Sequence, residues 1–238
     1  MAYATTNPYT GEVVKTFPDA TDAEIIKAIE DADKAFSSWK ETSFASRAKI
    51  MQKAADLLRK DLAGYAKLLT LEMGKIISEA KAEVELSAAI LEYYANNAET
   101  LLASETLPVA DPAEGEAIIV HEPLGVLLAV EPWNFPYYQV ARIIAPQLSA
   151  GNTMLLKHAG IVPQSAAAFE KLMLDAGLPK AVFQNLYAAH AQTETIISHP
   201  LVRGVALTGS EGAGAIVAST AGKALKKSTL ELGGADAF

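Results

Sequence analysis

Along the first part of the chain apolar residues recur three and four positions apart; after residue 115 they bunch into short continuous runs, and that change of period divides the molecule. Thr21-Asp22-Ala23-Glu24 forms a capping box, after which Ile25, Ala28, Ile29, Ala32, Ala35, Phe36 and Trp39 fall on one helical stripe. Ser43 is placed to cap a second helix that carries Ile50, Met51, Ala54, Leu57 and Leu58 on its apolar side. Residues 62–73 predict a third, closed by Gly74, where a left-handed backbone meets no Cβ. A longer fourth covers residues 77–102 and turns Ala80, Val84, Ala88, Leu91, Tyr94, Ala95 and Leu101 inward. The opening third of the chain therefore reads as helical. Residues 107–115, which include Pro108, Asp111, Pro112 and Glu114, read as a linker or exposed loop.

Beyond that loop, residues 117–121 and 125–130 are β-prone, and strands at 153–157, 182–187, 204–208 and 228–232 alternate with helical stretches. One of those helices, over residues 163–176, is stopped by Gly177 with Pro179 just after it. Near-continuous apolar strands joined by helices imply a parallel sheet covered on both faces, with its ligand site at the carboxyl ends of the strands. The expected fold class is α/β: a helical N-terminal region over residues 1–115, a short connecting segment over 116–124, and a Rossmann-like doubly wound parallel sheet over 125–238.

Composition changes this picture chiefly by exclusion. Half of the 238 residues are hydrophobic and 20% are charged, which fits a globular chain with ample core and not a disordered one. The net charge of −8 argues against nucleic acid, which is bound through clustered Lys and Arg. The nearest cluster, Lys223, Lys226 and Lys227, reads as the basic end of a helix. No basic, then apolar, leader opens the sequence, and the apolar run at residues 126–130 is far short of the ~20 residues that a membrane span needs. A cytoplasmic protein with no membrane partner is the default expectation. With no cysteine there is no disulfide or thiolate metal site, and His121, His158, His190 and His199 lack metal-ligand spacing, so no metal is expected. His158, beside Lys157, reads as a surface imidazole or as a residue of a ligand cleft.

Candidate chemistry gathers at the predicted strand ends. Pro132-Trp133-Asn134-Phe135-Pro136 follows the run at 125–130; Asn134 has an amide able to donate to an oxygen gaining negative charge, and the two prolines restrict the backbone that aims it. The same residue read blandly is a turn asparagine. Glu231, ahead of Gly233 and Gly234, is either a general base or a solvated strand end. Gly209-Ser210-Glu211-Gly212-Ala213-Gly214 leads from a strand into a helix, so first-turn N–H groups can receive phosphate oxygens while Ser210 caps. Its glycines stand at positions one, four and six, not at one, three and six as in the ordinary dinucleotide fingerprint. Lys157 closes another strand, and Tyr138 and Arg142 lie four apart on one helical face.

Together Pro132-Trp133-Asn134-Phe135-Pro136 and Glu231-Leu232-Gly233-Gly234 resemble the motifs of the aldehyde dehydrogenase superfamily, and the likeness extends back to the opening Asn7-Pro8-Tyr9-Thr10-Gly11-Glu12. The resemblance implies that Asn134 holds an oxyanion and Glu231 is the general base. It also implies that Gly209, Ser210, Gly214, Trp133, Leu232 and Lys157 contact a nicotinamide cofactor, Lys157 through its ribose. At Gly160 the family often has a glutamate that repels a 2′-phosphate, so NADP as well as NAD is expected. Dehydrogenases of succinate semialdehyde are similar in placing an arginine where Arg142 stands, which implies a carboxylate-binding guanidinium with Tyr138 beside the aldehyde channel.

The family nucleophile is a cysteine further along, and these 238 residues contain none. The chain thus corresponds to the N-terminal half of a dehydrogenase that oxidises an aldehyde, with succinate semialdehyde the expected substrate. Taken alone it is expected to be inactive, as a truncated or split enzyme that lacks the catalytic domain. Residues 116–124 then correspond to the start of an oligomerisation arm, and the intact protein to a homo-oligomer. The alternatives are a non-catalytic cofactor-binding or assembly module of the same fold, and another oxidoreductase on a similar sheet; for the latter no Tyr-x-x-x-Lys pattern is evident.

Overall fold

The computed structural model describes residues 3–111, 113 and 115–235; Pro112 and Glu114 of the predicted loop, and residues 236–238 at the end of the predicted sheet domain, lie outside the described residues. The chain does not open helical. It begins with an antiparallel pair, β1 (Tyr3–Thr6) and β2 (Val13–Phe17), in which Tyr3 faces Phe17. Only β1 has an inward face, carried by Tyr3 and Thr5, while β2 is almost wholly exposed, so there was little apolar alternation to read.

The four helices expected next are present as α1 (Asp22–Trp39), α2 (Phe44–Lys60), α3 (Leu62–Met73) and α4 (Ile77–Leu101). The Thr21 capping box forms, with the Glu24 carboxylate accepting from the Thr21 N–H at 2.8 Å. Ser43 caps α2, and Gly74 closes α3 with φ +74°. Leu101, expected inward, is 54% exposed because the last turn of α4 runs past the core. Leu107, expected in the loop, ends β3 (Glu105–Leu107), which pairs antiparallel with β4 (Ala117–Ile119). No helix among the described residues is long and apolar enough to cross a membrane.

The remaining elements are β5 (Val126–Glu131), α5 (Pro136–Ala150), β6 (Thr153–His158), α6 (Pro163–Asp175), β7 (Phe183–Asn185), α7 (Gln192–Ser198), β8 (Val202–Gly209), α8 (Glu211–Lys223) and β9 (Lys227–Leu232). Five strands form one parallel sheet in the order β7-β6-β5-β8-β9. Alternate residues feed two cores. Leu127, Ala129, Met154 and Leu156 join α5 and α6, with α2, α3 and α4 packed outside them; Val126, Leu128, Leu155, Val205 and Leu207 meet α1, α7 and α8. The Rossmann-like, doubly wound sheet is therefore present, and α1, although it comes from the helical part of the sequence, packs on the sheet itself. Buried Tyr137, Val140, Ile144 and Leu148 fix α5 in the first of these cores, each large side chain stabilising by about 1.5–3 kcal/mol relative to exposure. From β5 the chain builds outward to β6 and β7, then returns to lay β8 and β9 on the other side. The strand order reverses between β5 and β8, where a crevice opens at the carboxyl ends.

Candidate functional site

A cleft of about 620 Å³ lies at that reversal. Its walls include Trp133, Asn134, Tyr138, Arg142, Gly209, Ser210, Glu231 and Leu232, so eight of the residues singled out in the sequence meet in one place. Register explains the meeting: Val130 pairs with Leu207, Thr208 with Glu231 and Gly209 with Leu232, which brings the strand ends level. A second groove, about 470 Å³ between α4, α5 and the approach to β5, holds none of the motif residues. Among the described residues no group of His, Asp and Glu is arranged to hold a metal ion.

On the β8 side the turn into α8 is open. Ser210 accepts from the Ala213 N–H at 3.3 Å, and the N–H groups of Glu211 and Gly212 have no partner among the described residues. Gly214 lies under Leu232: a Cβ there would stand 2.6 Å from Leu232 Cδ2, so a larger residue would push the Leu232 side chain aside. Trp133 is half exposed across the cleft.

The β5 side is held far more tightly. The Asn134 carbonyl accepts from Lys75 Nζ at 2.9 Å, and Lys75 in turn is paired with Glu83 of α4. The other oxygen of Glu83 accepts from the N–H groups of Tyr137 and Tyr138 at 2.8 and 3.3 Å. That carboxylate thereby caps α5, whose own N-cap residue, Phe135, offers no side-chain acceptor. No local signal in the sequence pointed to Lys75 or Glu83.

Arg142 spans the cleft from α5 to the sheet. Its Nη2 donates to Thr208 Oγ1 at 2.9 Å, its Nη1 stands 3.6 Å from Glu231 Oε2, and its guanidinium lies 5.7 Å from the Tyr138 ring centre. Beside it, at the end of β5, is Glu131, which is buried with no hydrogen bond formed to either carboxyl oxygen. Burial pushes this carboxyl up to about 8, and the neighbouring Thr208 hydroxyl and Arg142 charge offset that only in part. Burial thus favours the neutral form of Glu131. Sequence reasoning missed it, although a glutamate closing an otherwise apolar strand was a visible signal.

Lys157 and Gly160 lie outside the cleft. Alternation along β6 puts Lys157 on the α1 side with Leu155, where its amine stands 5.9 Å from the Tyr3 ring centre. It is buried, and desolvation pulls its amine below the usual lysine value against the attraction of Asp19. A Cβ at Gly160 would stand 4.0 Å from the Tyr3 ring, an ordinary contact. His158 points the other way and is not at the surface: its Nδ1 accepts from the Ala159 N–H at 2.8 Å, which assigns the ring proton to Nε2, 3.0 Å from the Pro136 carbonyl. Burial brings its value down to about 4, so the ring is neutral.

Comparison with known proteins identifies relatives of the whole described fold. The succinate-semialdehyde dehydrogenase [NADP(+)] of Deinococcus radiodurans is 52% identical over 236 residues, covering 99% of this chain and 49% of the relative. The succinate-semialdehyde dehydrogenase [NADP(+)] 1 of Mycobacterium tuberculosis is 46% identical, covering 100% of this chain and 52% of the relative. Among solved structures, the succinic semialdehyde dehydrogenase of Streptococcus pyogenes in complex with NADP+ superposes with a TM-score of 0.96 at 44% identity, over 100% of this chain and 52% of that one. A betaine aldehyde dehydrogenase of Staphylococcus aureus in complex with NAD+ gives 0.93 at 29% identity, over 98% and 48%. The chain spans about half the length of these relatives. The model of the aldehyde dehydrogenase family matches residues 1–238, and with the motif residues gathered at one strand-order reversal the conclusion follows: the chain belongs to the aldehyde dehydrogenase family.

Proposed function

We propose that this chain is the cofactor-binding half of an aldehyde dehydrogenase that oxidises succinate semialdehyde with NADP+, the nucleophilic cysteine lying outside these 238 residues. The observation that carries the reading is the meeting of Asn134 and Glu231 in one cleft with the open first turn of α8. The N–H groups of Glu211 and Gly212 fit the pyrophosphate of a dinucleotide, since a helix start whose cap takes only one N–H still presents donors and a positive dipole end. A nicotinamide held there would supply the acceptor for the hydride that leaves the tetrahedral thiolate adduct of the aldehyde. The Asn134 amide donates to the oxyanion formed when the thiolate attacks the aldehyde carbon. Glu231 then takes a proton from the water that hydrolyses the thioester, and its exposed carboxylate leaves room for that water.

Arg142 binds the distal carboxylate of the substrate. Its Nη2 stays on Thr208, and its Nη1, 3.6 Å from Glu231, is beyond a good hydrogen bond and is available for exchange. The preference for NADP is supported by Gly160, which brings no acid to the ribose side, and by the NADP+ in the names of the relatives above. The exposed Ile118, Ile119 and Val120, on and just after β4, support taking residues 116–124 as the beginning of an oligomerisation arm in a homo-oligomeric enzyme.

Rapid mixing with succinate semialdehyde and NADP+ tests the two roles in the catalytically complete enzyme that contains this segment. Asn134→Ala slows the NADPH burst by roughly 10²–10³-fold, the range for an oxyanion donor. Glu231→Gln leaves the burst and abolishes steady turnover. An unchanged burst in Asn134→Ala, or unchanged turnover in Glu231→Gln, removes the corresponding role.

A further inference from the structure

Lys75 follows Gly74 at the end of α3, and Glu83 sits two turns into α4, so both belong to the helical part of the chain and not to the sheet that carries the cleft. Their side chains are only 7% and 1% exposed. Two buried charges are costly unless every donor and acceptor is used, and here they are used toward the cleft. Glu83 gives one oxygen to Lys75 and the other to the first N–H groups of α5; Lys75 gives a second hydrogen bond to the Asn134 carbonyl and lies 3.7 Å from the Phe135 ring centre.

Helix α6 shows what capping alone requires. Its N-cap residue, Val162, also lacks a side-chain acceptor, and Glu72 of α3 fills the place by accepting from the N–H groups of Gln164 and Ser165, both at 2.8 Å. The remaining partners of Glu72 are the hydroxyls of Ser165 and Thr5, and no cation reaches back to the loop before α6 among the described residues. At α5 the carboxylate cap is joined by a lysine that grips the backbone of Asn134 itself.

We propose that Lys75 and Glu83 are positioning residues that set the aim of the Asn134 side chain, acting through its carbonyl and through the start of α5. The proposal rests on Asn134 being the oxyanion donor. Because Pro132 and Pro136 bracket the turn, few backbone torsions are left, and an anchor on the Asn134 carbonyl together with one on the Tyr137 N–H removes most of them.

The test is a double-mutant cycle read on the NADPH burst of the complete enzyme with succinate semialdehyde. Lys75→Met strands a buried carboxylate and risks the fold, so the main variant is Lys75→Met with Glu83→Gln, which removes both charges while the Gln carbonyl still caps Tyr137. That variant slows the burst by roughly 10–100-fold, the scale of a misplaced catalytic group, with NADP+ affinity kept. Placed on Asn134→Ala it adds less than about twofold, since the group it aims is gone. Lys75→Arg, which keeps a cation on the carbonyl and the ring, recovers most of the rate. A full-speed burst in the neutralised pair, or an equal loss with and without Asn134, overturns the positioning role while leaving Asn134 as the donor. An Asn134→Ala enzyme with an unchanged burst overturns the oxyanion role, and the positioning role falls with it.

Discussion

Two helices begin at the carboxyl edge of the same sheet, one on each side of the cleft, and they begin in opposite ways. At α8 the cap is local: Ser210 takes one N–H, and two others are left without a partner among the described residues. At α5 every N–H of the first turn is taken, two of them by a carboxylate from a distant helix, and the peptide just ahead is gripped by a lysine and, at Pro136, by a histidine. An open helix start can accept an anion and must stay unfilled to do so. A filled one cannot bind phosphate, but it holds its neighbours still, which is what a donor aimed at a transient charge requires. The contrast explains how one edge serves both the cofactor and the reacting carbonyl.

The largest effect that distinguishes the two ends is on stability. Glu83→Ala leaves Lys75 buried without its partner and uncaps α5, and is expected to cost about 3–5 kcal/mol. Ser210→Ala removes one exposed cap bond and is expected to cost about 1 kcal/mol while weakening NADP+ binding. Urea unfolding of the two variants checks the ratio, and comparable losses would mean that the ends are not energetically different.

Arg142 bridges the two ends, from α5 to Thr208 and Glu231. If its free edge binds substrate carboxylate, Arg142→Ala in the complete enzyme weakens kcat/KM for succinate semialdehyde by about 2–5 kcal/mol, the range for losing one partner of a buried charge pair. Butanal, which has no carboxylate, is affected much less. Equal losses on the two aldehydes would reduce Arg142 to a strut between helix and sheet.

A further contrast is a pH dependence at the α5 end. His158 has its value lowered from 6.5 in the unfolded chain to about 4 by burial, so its contribution is present above pH 6.5 and is lost as pH falls toward 4. Glu131 works in the reverse sense: its value is raised from 4.5 to about 8, so its contribution is present at low pH and is lost as pH rises through that interval. Comparing the wild-type chain with His158→Gln isolates the histidine. The stability difference between them should shrink between pH 6.5 and 4 by up to about 1.4 kcal/mol per pH unit. A difference that stays flat would mean that water reaches the imidazole.

What could be read from residues alone was local or periodic. Thr21, Ser43 and Ser210 cap helices that start within three residues of them, Gly74 ends α3 by its own backbone freedom, and the apolar runs gave β5, β6, β8 and β9. The β1–β2 pair escaped because its exposed strand carries no alternation, and His158 because one imidazole beside a lysine says nothing about which face of the strand it takes. The motif residues of the cleft were nameable from the sequence, yet their shared position depends on β8 returning to lie beside β5.

The sequence by itself determined the four long helices and the strands of the parallel sheet, where most helices start, and which family the motifs belong to, because those properties are set by bonds and periodicities between residues a few positions apart. Only the tertiary structure decided which helix ends are open and which are closed. Glu83 meets Tyr137 across 54 positions and Glu72 meets Ser165 across 93, and such pairings exist only once packing has brought separate elements to within a hydrogen bond of one another.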